Sequence, residues 1–559
     1  MKIYTILFIS FVLSATFIVA NAENGLRERV YIQTDKQTYL AGELIWLKLY
    51  LTDEKGVPSS FSKVGYIELL DESAAQVQVK MELSEGIGTG WMELPATLAT
   101  GNYRLIGYTR QMKNEGENVF FNKTISVINT FRIDETIDID SSSELSTPSV
   151  IGNNIVVSTD KNSYATRTRT NIQIKNLPEN VYSLCVSVAG KDLVSESMNI
   201  SNWRKVLSTI TATPTVRIDF LPEYEGHIIT GRMVDIGTGE SVNNKINTVP
   251  FLSFVGDQIR LFNGKVGNDG NVQFFTKRIA GGSELVTSLY SFPQNKYRID
   301  ILSPFYAHTE KQLPHFEINL GWQEQLLQRS VGLQVSYGFV ADSLSQLDTA
   351  FAHFQWKPDR SYILDEYTRF TRMDEVVIEF IPSLRFRKID NKRILSVLMD
   401  ESATFTIGNS LVLLDGIPIL NHDIIYNYDP LLVYKIDVYK NRFDFADQFF
   451  DGIVSFTTYK SDYPTLKVDE QTQMFDYEGT QLNRLFYAPG YLNEEERKIR
   501  IPDYRHTLLW QPIVETAELT NIRIPFTTSD LTGEFQVVVE GLTRDGQVIR
   551  GMDFFNVIE

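Results

Sequence analysis

The sequence predicts a mainly β protein, built of tandem β-sandwich domains of immunoglobulin-like type with one α+β domain among them. Three observations carry this. The phrase Thr-Asp-Lys-x-x-Tyr occurs twice, at Thr34-Asp35-Lys36…Tyr39 and Thr159-Asp160-Lys161…Tyr164, and each copy opens a stretch of alternating apolar and polar residues. An internal repeat of this kind sets architecture. Short alternating runs then recur between Gly, Asn, Asp and Pro turns, the pattern of a sandwich. Aromatic usage is heavy, with 26 Tyr and 34 Phe, which suits strands more than helices.

The elements follow in order. Lys2, the apolar run Ile3 to Ala20 and the close Ala20-Asn21-Ala22 read as a secretory signal peptide over 1–22, cleaved after Ala22. No later segment is long and apolar enough to span a bilayer as a helix. Residues 23–130 form a first sandwich, with strands at Arg29–Gln33, Glu43–Leu51, Val64–Leu70, Gly101–Thr109 and Asn122–Val127. On the second of these Ile45, Leu47 and Leu49 point one way and Trp46, Lys48 and Tyr50 the other. The acidic, Ser-rich stretch 131–149 is a linker. A second repeat occupies 150–220, and a further β-sandwich 221–304 carries a turn at Asp269-Gly270.

Residues 305–360 are a connector with helix-compatible spacing at Trp322–Val335 and Ser343–Phe354. Residues 361–465 form the α+β domain. Thr371-x-x-Asp374 caps a short helix that ends before Pro382, and strands follow at Leu411–Leu414, Tyr434–Tyr439 and Gly452–Thr458. A C-terminal β-sandwich, 466–559, is marked by Phe535–Glu540 and a hairpin signal at Asp545-Gly546.

Composition narrows the function classes. A net charge of −17 argues against nucleic acid or anionic lipid as partner. Cys185 is the one cysteine, so no internal disulfide exists and the cores alone stabilise an exported chain. It reads as a small buried strand residue rather than a nucleophile. The six histidines have no partner at metal-ligand spacing. Hydrolase, nucleotide and dinucleotide motifs are absent. The sequence therefore assigns no catalytic, metal or cofactor-binding residue, no cofactor and no enzymatic activity.

Three stretches resemble known families. The run Tyr31-Ile-Gln-Thr-Asp-Lys-Gln-Thr-Tyr-Leu-Ala-Gly-Glu-Leu-Ile-Trp46, with Gly101-Asn-Tyr-Arg-Leu105, resembles a macroglobulin domain of the alpha-2-macroglobulin superfamily. Leu411-Val-Leu-Leu-Asp-Gly-Ile-Pro418, Tyr434–Tyr439 and Asp451–Thr458 resemble the plug domain of TonB-dependent outer-membrane receptors. Residues Gly231 to Phe275 are similar to the small regulatory sandwich of carboxypeptidases. Cys185 is followed by Val-Ser-Val, so the Cys-x-Glu-Gln thioester of trapping macroglobulins is missing. Too few residues follow Thr458 for the receptor barrel, which needs roughly 22 strands of ~10 residues.

These resemblances imply a non-enzymatic scaffold of the Gram-negative envelope, in the periplasm or associated with the outer membrane. It would serve as accessory to an outer-membrane protein complex for TonB-dependent transport or surface assembly. The alternative is a protein that binds a glycan or peptide through exposed aromatics. The expected contact surface for a partner is Asp415, Gly416 and Pro418 with Tyr426 and Tyr428 of the adjoining loop.

Overall fold

The computed structural model describes residues 27–132, 138–140, 154–194, 198–210, 218–242, 248–291, 297–339, 357–399, 404–406, 410–445, 448–462, 471–515 and 521–559. The expected leader at 1–22, the expected helix at Ser343–Phe354 and most of the linker 131–149 lie outside them. The chain is mainly β and divides into two compact units. One gathers residues 1–224, 305–348 and 480–559, the other 225–304 and 349–479.

The first unit contains two sandwiches. The first is made of β1 (Glu28–Thr34), β2 (Thr38–Leu40), β3 (Leu44–Asp53), β4 (Val64–Leu70), β5 (Ala75–Glu82), β6 (Ile87–Glu93), β7 (Gly101–Thr109) and β8 (Phe121–Ile128). Its sheets run β1-β3-β6 and β2-β8-β7-β4-β5. The second has β9 (Val156–Thr159), β10 (Ser163–Ala165), β11 (Arg169–Lys175), β12 (Val181–Gly190), β13 (Thr507–Gln511), β14 (Ile522–Thr527), β15 (Gly533–Thr543) and β16 (Val548–Ile558). Its sheets run β9-β11-β14 and β10-β16-β15-β12-β13. The two orders correspond strand for strand. In both, the short second strand joins the last one in parallel while every other pairing is antiparallel.

The repeated phrase builds that sheet-switching corner. Tyr39 donates its hydroxyl to Asp35 Oδ1 at 2.7 Å, and Lys36 N donates to the Tyr39 oxygen at 3.2 Å. Thr34 Oγ1 donates to Lys36 O at 2.7 Å. The second copy repeats all three bonds, from Tyr164 to Asp160, Lys161 N to Tyr164 and Thr159 to Lys161. A short carboxylate and a long phenol thus close the bend side chain to side chain, where no ladder bond is available to the turning backbone.

The second sandwich corrects the expected domain boundaries. The repeat at 150–220 and the sandwich at 466–559 were expected as separate domains, yet they supply the two halves of one fold. The connection that in the first sandwich is the tight turn at 71–74 here holds residues 191–506. The core is common property: Val186 and Val188 from β12 pack with Phe535, Val537 and Val539 from β15 and Phe555 from β16. At roughly 1.5–3 kcal/mol per fully buried large apolar side chain, neither half hides enough surface alone. The strand Gln473–Glu478, also expected in the C-terminal sandwich, instead pairs with Gly282–Ser291 of the other unit.

Ile45, Leu47 and Leu49 enter the first core as expected. The opposite face of β3 is buried too, because β12 and β15 of the second sandwich cover it. Trp46 packs with Cys185 and Trp510, and Tyr50 donates to Glu540 O at 3.3 Å. Tyr108 stacks on Tyr66 at 5.4 Å inside the first sandwich. Trp46, Tyr50 and Tyr108 therefore form no exposed ledge. Lys48 is fully buried between the sandwiches, donating to Ser183 Oγ at 2.7 Å and Leu184 O at 3.2 Å. Burial lowers its pKa to about 7, while the same burial pushes the Cys185 thiol up to about 12. The two longest helices among the described residues of the unit are α1 (Ile200–Leu207) and α2 (Gln323–Phe339), the second close to the expected span.

The second unit joins a seven-stranded sheet, made of strands from 228–301 with Gln473–Glu478, to an α+β module. In that module Arg360–Ile363, Val433–Phe445, Gln448–Thr458, Leu411–Leu414 and Ile417–Pro418 form one sheet. Helix Met373–Phe380 ends before Pro382 as expected, but its N-cap is Arg372 rather than Thr371 and no side chain caps it. Asp374 is instead held by Arg372 at 2.6 Å.

Two outcomes are expected. Residues 154–190 joined to 507–559 through a turn copied from 71–74 should melt cooperatively by circular dichroism, whereas each half alone should be unfolded. Lys48→Met should raise the apparent melting temperature at pH 6 by an amount corresponding to a few kcal/mol. Below pH 7 the native state pays for a buried charge that the unfolded chain carries freely. Between pH 7 and the ordinary lysine range the unfolded state binds more protons, so wild-type stability gains a rising contribution. The variant should lack that rise.

Candidate functional site

The residues expected to form a contact surface are spent inside the second unit. Asp415 and Gly416 have φ of +47° and +82°, the primed turn that Asp-Gly favours. The Asp415 carboxylate accepts from Thr458 N at 2.7 Å and Thr458 Oγ1 at 2.8 Å, tying the turn to the end of strand Gln448–Thr458. Asp415 O accepts from Gly256 N at 3.1 Å. A Cβ on Gly416 would lie 2.9 Å from Phe254 O, so the turn sits directly on the neighbouring sheet's loop. Pro418 is buried, and so is Tyr428, whose pKa burial pushes up to about 12. Tyr426 is half-buried, donating to Asp374 at 3.1 Å beneath the Arg393 guanidinium at 3.8 Å. The expected open surface is thereby corrected, and the glycan alternative loses Tyr428 as an exposed aromatic.

Three of the histidines are similarly engaged. His227 bonds Tyr477, His308 lies 2.9 Å from Glu68, and His422 accepts from Leu395 N at 3.0 Å with its pKa lowered by burial to about 4. Among the described residues no group of three or more His, Cys, Asp or Glu could hold a metal ion. No helix among them is long and apolar enough to cross a membrane.

A different site emerges in the first unit. A cleft of about 370 Å³ lies between α2, the approach to β3, and residues 484–487 and 504–507. Arg329, Gly332, Leu333, Ser336 and Tyr337 reach it from α2, a spacing that places them on one helical face. Gly332 allows the close approach, since a Cβ there would meet the Tyr504 backbone at 2.9 Å. Tyr337 donates to Gly42 O at 2.7 Å.

The polar floor is Lys36 of the first repeat, Glu43 and Arg329. Arg329 Nη2 donates to Thr38 O at 2.8 Å and Glu43 Oε2 at 2.9 Å, and Lys36 Nζ stands 3.3 Å from the same oxygen. Burial pushes the Glu43 carboxyl up, but the two cations more than reverse this and hold it below its ordinary value. Arg329 Nε and Nη1 are shielded from solvent without a partner, as are both ring nitrogens of His506. Burial, reinforced by Arg329 and Lys36, drives the His506 pKa well below its ordinary value and keeps the ring neutral. The walls are aromatic: Trp46 meets Phe486 edge-on at 5.5 Å, with Tyr487 and Tyr504 beside them.

Sequence reasoning missed this cleft. Its one local signal was Lys36, in the repeat. The equivalent Lys161 is exposed, so the motif's structural role is shared while its cation is buried in one copy alone. Arg329 and His506 lie on unrelated segments.

No protein-family model matches the sequence, and no curated protein does. Among solved structures, a Salmonella alpha-2-macroglobulin overlaps 96% of this chain and 40% of its own at 10% identity, with a TM-score of 0.25. A trypsin-activated alpha-2-macroglobulin of Escherichia coli overlaps 96% and 42% at 9% identity and 0.23. The Escherichia coli adhesin FdeC overlaps 49% and 64% at 12% identity and 0.15. This chain thus spans about 40% of the first macroglobulin's length.

Asp415→Ala should cost about 1–3 kcal/mol by leaving Thr458 N and Oγ1 unpaired. Gly416→Val, which adds a clash to an unfavourable φ, should cost at least as much. Urea titration of both variants, read by far-ultraviolet circular dichroism, checks this.

Proposed function

We propose that the protein is an exported, non-enzymatic scaffold and interaction protein of a Gram-negative envelope, accessory to an outer-membrane complex for TonB-dependent transport or surface assembly. It works at the periplasmic or outer-membrane side and binds protein rather than nucleic acid. One observation carries the reading. The described α+β module keeps a contiguous apolar surface open: Leu431 is 43% exposed, Leu432 48%, Tyr434 38% and Tyr459 52%. Tyr459 N donates to Leu432 O at 3.2 Å and its ring lies 5.6 Å from that of Tyr434, so the four belong to one patch. Asp365 holds the Tyr459 hydroxyl at 2.5 Å, giving the patch a polar rim. Grouped aromatics and leucines within a polar rim suit a protein partner better than solvent. The buried charge network and neutral thiol elsewhere support packing roles rather than turnover.

A second reading, direct binding of a small ligand, is favoured by the cleft at Arg329. For the first, a tagged chain is cross-linked and purified from native envelopes beside the double variant Leu432→Asp, Tyr459→Ser. An outer-membrane protein recovered in near-equal amount with wild type, and reduced about tenfold or more with the variant, is the expected result. Recovery of no partner, or equal recovery with both chains, would overturn the reading.

A further inference from the structure

We propose that the cleft between α2 and residues 484–507 binds a carboxylate-bearing ligand with an aromatic or apolar body, and that Arg329 receives the carboxylate. The inference is independent of the partner-binding patch, which lies in the other unit.

The argument begins with unpaired groups. An arginine in a protein interior ordinarily spends its five donors on acceptors, and each shielded donor left without one costs about 1–3 kcal/mol. Arg329 is 3% exposed and spends Nη2 alone; Nε and Nη1 have no partner. Arg484 Nε and both His506 nitrogens are in the same state, and all three residues line the cleft. Every unpartnered side-chain polar atom of the lining is therefore a nitrogen. A neutral imidazole carries one N–H, so four of these five nitrogens are donors and the lining asks mainly for acceptors.

The carboxylates nearby do not fill that need. Glu43 is pinned by Lys36, Arg329 and Leu40 N, and Asp35 accepts from Tyr39, Trp46 N and Thr507 Oγ1. Asp503 holds Arg505 at 2.8 Å. These three acids are matched within the fold and the other lining carboxylate, Glu93, is exposed beside Tyr337, while Arg484 stacks on Trp91 at 4.8 Å with its Nε free. A ligand carboxylate offers oxygens to Arg329 and to the neutral His506 imidazole, a charge-assisted contact of about twice ordinary hydrogen-bond strength. The walls of Trp46, Phe486 and Tyr504 then take an aromatic or apolar body. The volume of about 370 Å³ falls in the range of small-ligand sites.

Two sources share this chemistry, a free aromatic acid and the C-terminal end of a peptide. The test is calorimetric titration of the full chain with 3-phenylpropionate, with Ala-Ala-Phe, and with the Ala-Ala-Phe amide. At least one carboxylate probe is expected to bind, and the amide about tenfold or more weaker than the matching acid. Tighter binding of the tripeptide than of phenylpropionate assigns a peptide terminus; the reverse assigns a free acid. Arg329→Met is expected to reduce acid binding about tenfold or more and to leave amide binding unchanged. Because Arg329 also bridges Thr38 and Glu43, Arg484→Met and Phe486→Ala serve as variants that spare those bonds, and thermal melting without ligand confirms that each is folded. Equal binding of acid and amide, binding untouched in a folded Arg329→Met protein, or no binding of any probe at millimolar concentration would overturn the proposal and leave a water-filled cleft.

Discussion

Much of the first unit turns on the Asp35 carboxylate. Its Oδ1 accepts from Tyr39 and from Trp46 N, closing the corner that passes the chain from one sheet of the first sandwich to the other. Its Oδ2 accepts from Thr507 at 2.7 Å, where the second sandwich resumes after its long interruption, and its backbone oxygen accepts from Ser187 at 2.8 Å. One buried acid thereby joins a bend, two strands and a neighbouring fold. A buried carboxylate is tolerated only when its lone pairs are met. Here two acceptor bonds close the local corner and the two from Thr507 and Ser187 tie it to segments far away in sequence, so the desolvation cost is converted into fixed geometry. Lys36, carried on the same corner, is placed at the floor of the cleft as a consequence.

The contact between sandwiches follows the same logic with different chemistry. A lysine, a thiol and two indoles meet at β3, β12 and β13. Lys48 is held by two hydrogen bonds to neutral acceptors while burial lowers its pKa to about 7, and Cys185 remains a thiol because nothing nearby stabilises a thiolate enough to offset burial. An interface built this way is tight but not oily throughout. Its specificity comes from donors that find acceptors in a single registration of the sheets.

Much of this was legible in the residues. The doubled Thr-Asp-Lys-x-x-Tyr announced two related sandwiches because its bonds are local, spanning five residues or fewer. Asp415-Gly416 announced its turn because φ above zero at both positions restricts residue choice. The helix spanning Trp322 to Val335 was visible in spacing that α2 uses to present one face to the cleft. What could not be read was long-range closure. Nothing in β12 says that its partner strands begin at Thr507, since alternation records which face is buried and not what buries it. For the same reason Tyr428 and Trp46 looked available from their sequence neighbours, and the cleft residues, drawn from five segments, left no shared pattern.

The interrupted second sandwich has a consequence for how the chain comes into being. Domains form largely in the order in which they are synthesised, yet β9 to β12 must wait through residues 191–506 before β13 to β16 exist to pair with them. During that interval β12 lacks both of its sheet neighbours, β15 and β13, and its edges are open, the state that invites wrong partners. Entropy of closure rises slowly with loop length, so the delay costs time more than stability. The first half of the sandwich thus acts as a completeness gauge: a chain stopped anywhere inside the inserted residues displays sticky, unfinished strands. Only a chain made through β16 conceals them, so a surveillance protease reading exposed strands would separate finished copies from truncated ones.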